Sequence, residues 1–454
     1  MQKSLIAAIL LSQVEAKKCP FGFGEGSESA PATAKYPSEI LTCPAEGVIK
    51  TPAGFSTHQY EKIFQSVVEQ YETVDPTIKD NHNKRANFAG CLLRFAGHDF
   101  MDYRTGAGRG GSDACIDFTE ADNAGLQNCL QEFKIADVFA KHCGSVSLAD
   151  FIVIAAEAVM ARTSTSYNAA NPFAEGTLAR SFRDNFKYGR ETSTTCEWSN
   201  GLMPSGNLGC ENHESIFVKH IFAGKSDPWT LTAAIKGAHT LGSAKPEFSG
   251  FDGFWSDPVN AGIFNNDYYK SLMFKGWAPQ LAVNGNPEKN QWQRVDAGKT
   301  AHKELMLDAD LCLAYNNNVE YAHCLKTKPE MECQELRGKG TRLTATAGNC
   351  CANTKTNILF DYDVLKAGNT FCGKNVTSAN DERASCCKFE GENSYGDCDE
   401  SEAPTGPAIN AIYSFIQNEA TWLENYRTAW NIATENGQTD LAPLAAQSAG
   451  LLQN

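Results

Sequence analysis

Several features that define other protein classes are scarce in this 454-residue chain. Basic residues are not in excess, since 40 Lys and Arg stand against 54 Asp and Glu. The net charge of -14 argues against a nucleic-acid partner, because phosphate binding needs a basic face. No apolar run approaches the roughly 20 residues that cross a bilayer, so no membrane span is expected. Valine-rich alternating runs are scarce and fixed-period repeats are missing, which disfavours a β-rich or solenoid fold.

The first 16 residues have the layout of a cleaved secretory signal. Lys3 precedes a seven-residue apolar run, Leu5–Leu11, and Val14-Glu15-Ala16 has the small-residue pattern of a cleavage site. We expect residues 1–16 to be removed and the mature protein to be secreted or lumenal. An N-terminal core helix is the alternative. A mitochondrial transit peptide is disfavoured because no arginine precedes Arg85.

The cysteines are numerous, 17 in all, and such a number indicates an oxidising compartment. Eight of them lie between Cys324 and Cys398, where we expect a disulfide-stapled insert over residues 324–400. A zinc site is the alternative, although CxxC pairs are missing there. Asn375, in the sequence Asn-Val-Thr, is an acceptor for an N-glycan.

The other nine cysteines are odd in number, so at least one should stay unpaired or pair between molecules. Cys91 lies on an apolar helix face, and we expect it to be a buried, inert thiol.

Apolar residues recur at spacings of three and four, which predicts a mainly α-helical fold. Ser147 can cap a helix that begins at Leu148, and Asp227 followed by Pro228 is typical of another helix start. Gly242 stands where that second helix should end. The predicted helices are Tyr60–Tyr71, Lys84–Phe100, Gln127–Lys141, Ser147–Ala161, Asp227–Leu241 and Gln417–Glu435.

Arg94 and His98 lie four residues apart within a predicted helix, so both side chains project from one face. A guanidinium that stays charged beside an imidazole that titrates near neutrality suits the polarisation of a small oxygen-rich ligand. A pair of exposed surface side chains is the alternative interpretation.

His239 stands at the end of another predicted helix, in the segment Lys236-Gly237-Ala238-His239-Thr240-Leu241-Gly242. A metal-ligating histidine normally donates its second ring N–H to a carboxylate, and Asp310 can accept that hydrogen bond. Trp255, in Gly253-Phe254-Trp255, adds an aromatic ring to this set. A core histidine that interacts with the helix dipole is the alternative.

These segments resemble the plant, fungal and bacterial haem peroxidase superfamily, most closely its cytochrome c and ascorbate peroxidase branch. The resemblance runs from about Phe64 to Tyr315, resumes from about Ala411 to Glu435, and leaves the insert unmatched. It implies a mainly α-helical, two-lobed fold with haem b between a distal and a proximal lobe. Together with the signal segment and the insert predicted above, it gives these divisions: a signal peptide (1–16), an N-terminal extension (17–55), the distal lobe (56–160), the proximal lobe (161–323), the insert (324–400) and a C-terminal helix of the proximal lobe with a tail (401–454).

The family's functional residues match positions of this chain in the family's order. The resemblance implies Arg94, His98 and Asn123 as catalytic residues, His239 as the axial ligand of the haem iron, and Asp310, Trp255 and Thr240 as further residues of the haem site. It implies an enzyme that reduces hydrogen peroxide through a ferryl intermediate and oxidises a small-molecule or surface-accessible reductant.

The chain also departs from the family's pattern. The bulky aromatic residue that normally precedes the distal histidine is Gly97 here, which predicts a wider pocket. The arginine that binds ascorbate is replaced by Phe248, which disfavours an ascorbate peroxidase of that type.

The resemblance also implies cation sites, and here too the residues differ. A calcium site would use Asp99, Gly111 and Asp113, but Cys115 replaces its serine and weakens it, because calcium prefers oxygen donors. A second cation site would involve Thr240, Ser256 and Asp257, with Asn265 in place of the usual aspartate. The simpler interpretation of that group is a set of solvated loop polar residues.

Two rival functions stay open at this point. In one, Trp255 relays electrons from a protein donor, although a secretory signal speaks against cytochrome c itself. In the other, the chain is a non-catalytic extracellular scaffold that uses its insert for binding, as the insert and Gly97 suggest. Retention of Arg94, His98, Asn123 and Asp310 together argues against a scaffold.

Overall fold

The computed structural model describes residues 34–79, 82–107, 110–193, 196, 202–204, 206, 209–275, 277–280, 283–286, 289, 291–294, 303–315 and 406–446. The expected signal segment and the cysteine-rich insert, with its Asn375 acceptor, lie outside these residues.

Helices make up most of the regular structure in the described ranges, which confirms the predicted mainly α-helical fold. The α-helices are α1 (Pro37–Ile40), α2 (Thr57–Glu72), α3 (Lys84–Phe100), α4 (Leu126–Glu132), α5 (Ile135–Phe139), α6 (Leu148–Thr163), α7 (Leu178–Asn185), α8 (Cys210–His213), α9 (Pro228–Lys236), α10 (Asp267–Phe274), α11 (Asp308–Leu311), α12 (Ile409–Gln417) and α13 (Glu419–Glu435). A π-helix, Glu214–Ile221, continues α8, and a 3-10 turn, Gly237–Thr240, continues α9. Within the described ranges, no helix combines the length and apolar character needed to cross a bilayer.

The strands are short and antiparallel. They are β1 (Ile78–Lys79) paired with β2 (His82–Asn83), β3 (Lys187–Tyr188) paired with β7 (Ala442–Pro443), and a three-stranded sheet in the order β4 (Trp277–Gln280), β5 (Gln291–Arg294) and β6 (Leu305–Met306). In the three-stranded sheet Trp292 pairs with Pro279 on one side and with Met306 on the other. That sheet leads directly into α11, which carries Asp310.

Local capping signals account for the starts of several helices. The Ser147 hydroxyl accepts the Asp150 amide at 3.2 Å, and the Asp227 carboxylate accepts the Thr230 amide at 3.1 Å. The α3 helix begins after Asn83, whose side chain accepts the Ala86 amide at 2.9 Å. The helix that carries Arg94 and His98 therefore has the predicted bounds.

Two predicted helices are interrupted. The stretch 127–141 is divided into α4 and α5, because Lys134 adopts a left-handed φ of 54° that ends one helix before the next begins. The stretch after Asp227 is α-helical only to Lys236 and then tightens into the 3-10 turn. At that junction Gly237 lies against the Trp422 ring, and a Cβ there would be 2.6 Å from the indole nitrogen.

The core is organised around α6, which packs against both α2 and α3. Every residue of α6 except Arg162 is buried, as expected for a helix that is apolar on all sides. Its Glu157 is satisfied by the Tyr60 hydroxyl at 2.7 Å and the Trp430 indole at 2.9 Å. These bonds join α2, α6 and α13 behind the functional cavity described below.

Four disulfides connect the described helices and loops. They are Cys43–Cys143, Cys91–Cys129, Cys115–Cys196 and Cys210–Cys312. The prediction that Cys91 is a free thiol was therefore wrong, because α3 and α4 bring it to a Cα separation of 6.1 Å from Cys129. The ninth cysteine outside the insert, Cys19, lies outside the described residues.

Candidate active site

A cavity of about 330 Å³ lies between α3 and the end of α9. Most of its lining is apolar, and the polar groups are few, as in pockets that enclose a small molecule or a cofactor. We call the side formed by α3 and the turn around Asn123 the distal wall. The side formed by the end of α9, Trp255 and α11 is the proximal wall.

The distal wall fixes the tautomer of His98. Its Nδ1–H donates to the Asn123 Oδ1 at 2.8 Å, and the Asn123 amide in turn donates to the Asp117 carbonyl at 2.9 Å. With Nδ1 protonated, Nε2 keeps a lone pair, which accepts a hydrogen bond from Arg94 Nε at 3.2 Å. The basic nitrogen of His98 is thereby held beside a cation.

The Arg94 guanidinium is held by backbone oxygens. Nη1 donates to the Ala124 carbonyl at 2.9 Å and Nη2 to the Asp122 carbonyl at 2.6 Å. Burial lowers the pKa of Arg94 to about 10, so the group still carries its charge at neutral pH. Burial, and then the neighbouring Arg94, also lower the pKa of His98 well below its usual value. His98 is therefore a neutral, oriented base at pH 7.

The proximal wall presents the second histidine. His239 Nδ1–H donates to the Asp310 Oδ1 at 2.8 Å, which leaves the Nε2 lone pair without a hydrogen-bond donor among the described residues. The side chain lines the cavity and keeps 30% of its surface accessible. An imidazole with one nitrogen donating to a carboxylate and the other free is the arrangement of a metal ligand. The donor set therefore fits the axial ligand of a haem iron.

Asp310 is the centre of the proximal wall. It is fully buried and also accepts the Trp255 indole N–H at 2.8 Å, the Tyr268 hydroxyl at 2.9 Å and the Leu307 amide at 2.9 Å. Burial alone would raise the pKa of Asp310, but Lys236, with Nζ at 3.2 Å, and the histidine hold it well below the usual range. The carboxylate is therefore ionised at any physiological pH.

Trp255 lies against His239, and both side chains donate a hydrogen bond to Asp310. The ring centroids of His239 and Trp255 are 4.3 Å apart with an interplanar angle of 34°. Burial and the adjacent Lys236 lower the pKa of His239, so the imidazole is neutral and able to bind a metal.

Three of the residues assigned to a second cation site are buried, so the interpretation as solvated loop residues was wrong for them. They are Thr240, Ser256 and Asn265. The Thr240 hydroxyl donates to the Asn265 Oδ1 at 3.2 Å, and the Ser256 hydroxyl has no hydrogen-bond partner in the part of the chain that the structure describes. Asp257 instead closes a local turn by accepting the Asn260 amide at 2.9 Å.

The residues of the predicted calcium site come together, but their oxygens have other partners. Asp99 accepts the backbone amides of Ala114 and Cys115, each at 3.0 Å, and Asp113 accepts the second of these at 3.1 Å. The Gly111 amide donates to Asp102 at 2.8 Å. Across the described ranges, no group of three or more His, Cys, Asp or Glu side chains is arranged to hold a metal ion. The calcium site stays a prediction.

Sequence reasoning missed two contributors to the proximal wall. Lys236 precedes His239 by three residues, close to one helical turn, and that spacing could have indicated its proximity to the site. Tyr268 donates to Asp310 from α10, 42 residues away along the chain, and nothing in the local sequence indicates this contact.

Comparison with known proteins gives a consistent family. A sequence model of the family described as "Peroxidase" matches residues 72–327. A probable peroxisomal L-ascorbate peroxidase 4 of Oryza sativa is 28% identical over 192 residues, which cover 40% of this chain and 56% of that protein. L-ascorbate peroxidase 3 of Arabidopsis thaliana is 29% identical over 192 residues, which cover 41% of this chain and 57% of that protein. A mitochondrial cytochrome c peroxidase of Candida albicans is 25% identical over 234 residues, which cover 50% of this chain and 55% of that protein. The chain thus spans a little over half the length of these curated relatives.

Proposed function

The chain belongs to the peroxidase family, and we propose that it is a haem b enzyme that reduces hydrogen peroxide and oxidises a small-molecule or surface-accessible reductant. One observation carries this proposal. A single cavity holds a neutral base, His98, beside the Arg94 cation, and also a histidine, His239, whose free Nε2 is backed by the buried Asp310.

His239 would hold the iron through Nε2, and Asp310 would fix the orientation of the imidazole and increase its electron donation. Bound haem supplies the redox-active iron at which peroxide binds and is reduced. We also propose the two-lobed arrangement that the resemblance implies, with the haem between a distal lobe before about residue 160 and a proximal lobe after it. The apolar lining of the cavity suits the ring system and limits the entry of water.

The distal residues would move the proton. His98 Nε2 takes the proton of the oxygen that binds first, once peroxide has replaced the hydrogen bond from Arg94 Nε, and the bond from Nδ1 to Asn123 keeps Nε2 as the basic nitrogen. Arg94 stabilises the negative charge that develops on the leaving oxygen, and its backbone anchors mean that no reorganisation is needed. His98 then returns the proton to that oxygen, which departs as water.

The reductant is constrained by Phe248. Its ring packs against Gly125 of the distal wall, where a Cβ would lie 2.6 Å from the Phe248 Cγ. An apolar ring thus occupies the position at which the resemblance places an ascorbate-binding arginine. We propose a reductant other than ascorbate bound in that manner.

We propose a secreted or lumenal location. The Cys43–Cys143, Cys91–Cys129, Cys115–Cys196 and Cys210–Cys312 disulfides support an oxidising compartment, since such bonds are rare in reducing ones. The peroxisomal and mitochondrial names of two relatives describe those proteins.

The direct test is spectroscopic. The recombinant full chain, expressed with haem available, should show a Soret band that changes within milliseconds when hydrogen peroxide is mixed in a stopped-flow instrument. A native, folded protein that binds no haem would contradict the proposal. Haem binding without any spectral response to peroxide would favour the scaffold function instead.

A protein electron donor is the second candidate, favoured by the contact between Trp255 and His239 and by the indole bond to Asp310. In that case the Trp255→Phe variant should react with peroxide as the wild type does. It should lose turnover only when the electron donor is a protein. Equal turnover of the wild type and the Trp255→Phe variant with the protein donor would exclude electron transfer through Trp255.

A further inference from the structure

Lys236 is a lysine placed in the wall of an apolar cavity. It is the last residue of α9, its side chain is only 11% exposed, and its Nζ lies 3.2 Å from the Asp310 Oδ1. Lysine is seldom buried to this extent unless it is paired, because removing an ammonium from water is costly. Its position is therefore explained by the carboxylate it contacts.

The contact involves the same oxygen that accepts the His239 N–H. Oδ1 also accepts the Tyr268 hydroxyl, whereas Oδ2 accepts the Trp255 indole and the Leu307 amide. Four of these five donors are neutral groups. Lys236 is the single full cation that contacts Asp310 among the described residues.

Within the described ranges, no second lysine or arginine forms an ion pair with Asp310. His213 lies nearby with its Nε2 bonded to the Ala309 carbonyl, and burial followed by the charge of Lys236 lowers the pKa of His213 to about 3. It is neutral at physiological pH, as is His239. The charge on Asp310 is thus balanced by one identifiable group.

A carboxylate that accepts an imidazole N–H makes the imidazole more basic, and a cation at 3.2 Å from the same oxygen offsets part of the negative charge that does so. When Asp310 attracts the Nδ1 proton of His239 less strongly, the imidazole has less imidazolate character and its Nε2 is less basic. A less basic axial ligand stabilises ferric iron less, so the reduction potential of the bound iron is higher.

We infer that Lys236 is a positioning and tuning residue, which acts through Asp310 and His239 to limit electron donation to the haem iron and so raise its Fe(III)/Fe(II) potential. This inference rests on the proposed haem-binding function. It assigns to the family's buried carboxylate a cationic partner within the chain itself.

The test is a potentiometric titration of the haem-loaded full chain with three variants. Lys236→Met removes the charge and the hydrogen bond, Lys236→Gln removes the charge but keeps a donor, and Lys236→Arg keeps both. We expect the Met and Gln variants to favour ferric iron by at least tenfold, a shift of about 59 mV to lower potential. The Arg variant should stay close to wild type.

Lys245→Met is the matched control, because Lys245 also lines the cavity but lies over the Phe248 ring at 5.8 Å instead of contacting Asp310. Its shift should be at most a third of that expected for Lys236→Met. An equal shift in this control would assign the effect to the general field of the cavity and overturn the inference.

Other outcomes are equally decisive. An unchanged potential in Lys236→Met, a shift to higher potential, or a Gln variant that behaves like wild type would each overturn it. If neither the Met nor the Gln variant retained haem, Lys236 would have a purely structural role, and the inference would also be overturned. Absence of a Soret band from the wild-type chain would instead refute the proposed function.

Discussion

The two walls of the cavity hold their histidines by opposite means. The distal wall uses no anion, since His98 donates to an amide oxygen and accepts from the Arg94 cation, which donates to two backbone carbonyls. The proximal wall uses a buried anion, Asp310, with five donors that include the Lys236 cation. An amide orients a base without changing its charge, whereas a carboxylate strengthens a ligand. Under the proposed function, the difference would assign reactivity to the distal wall and retention of the cofactor to the proximal wall.

The largest effect is expected from His239→Ala. Removing the free Nε2 should abolish stable haem ligation, because no other described histidine of this wall donates to a buried carboxylate and keeps its Nε2 free. The measurement is the Soret absorbance after gel filtration of the haem-loaded protein. His58→Ala, at an exposed position on α2, is the control and should retain haem fully. Full retention by the His239 variant would break the assignment of the walls.

His98→Leu should affect the rate and spare the cofactor. Loss of the neutral base should lower the second-order rate constant for hydrogen peroxide by about 10²- to 10⁴-fold. The Soret band should remain, because the proposed function assigns the iron to His239 in the proximal wall. Stopped-flow kinetics and the haem content of the same preparation provide both readouts. A variant that loses haem but not rate would reverse the two assignments.

Gly97→Phe sharpens the description of the distal wall. A Cβ at Gly97 would meet nothing closer than Met101 Cε at 4.0 Å, whereas at Gly90, also in the lining, it would be 2.8 Å from the Gly242 Cα. The space in front of Gly97 is therefore open, and a ring can enter it. We expect the ratio of rate constants for cumene hydroperoxide and hydrogen peroxide to fall about tenfold, equivalent to roughly 1.4 kcal/mol. An unchanged ratio would show that this space does not admit the substrate.

The smallest effect should come from Asn123→Ala. It removes one hydrogen bond to His98, worth about 1 kcal/mol, so the rate with peroxide should fall about fivefold. Asn168→Ala, in an exposed turn outside the cavity, should leave the rate unchanged and is the control. A loss as large as that of His98→Leu would mean that the amide does more than orient the ring.

The pH dependence of the rate constant for peroxide should be set by His98 in the distal wall. The reaction needs neutral His98, and because burial and Arg94 lower its pKa below 6.5, the neutral form persists down to acidic pH. The rate constant should be flat between about pH 6.5 and 8 and fall only on further acidification. An apparent pKa of 6.5 or above in the peroxide rate profile would contradict this charge assignment.

Much of the candidate site could be predicted because its signals are local. The spacing of Arg94 and His98 predicts a shared helix face, and both line the same cavity. The contact of His239 with Asp310 followed from the general need of a ligating histidine for an acceptor, together with the resemblance. The role of Lys236 was missed, because the sequence does not state which side chains will surround a carboxylate 74 residues later.

The limits of the fold prediction have the same origin. Periodicity and caps predicted α3 and α6 well, since they depend on residues within one or two turns. The 3-10 turn at Gly237 lies against a distant segment, the Trp422 ring, and the break at Lys134 follows from a left-handed φ at a residue other than glycine, which local periodicity does not predict. The pairing of Cys91 with Cys129 likewise depends on how α3 and α4 approach.

The sequence by itself determined the helical class, the acidic surface charge, the bounds of the helix with Arg94 and His98, and the identities of the two histidines. These properties arise from composition and from interactions between residues three or four apart. The tertiary structure alone decided that Lys236, Tyr268 and Trp255 share one carboxylate, and that Gly97 faces open space. Those relations join residues tens of positions apart, and only the packing of the helices around the cavity sets the distances between them.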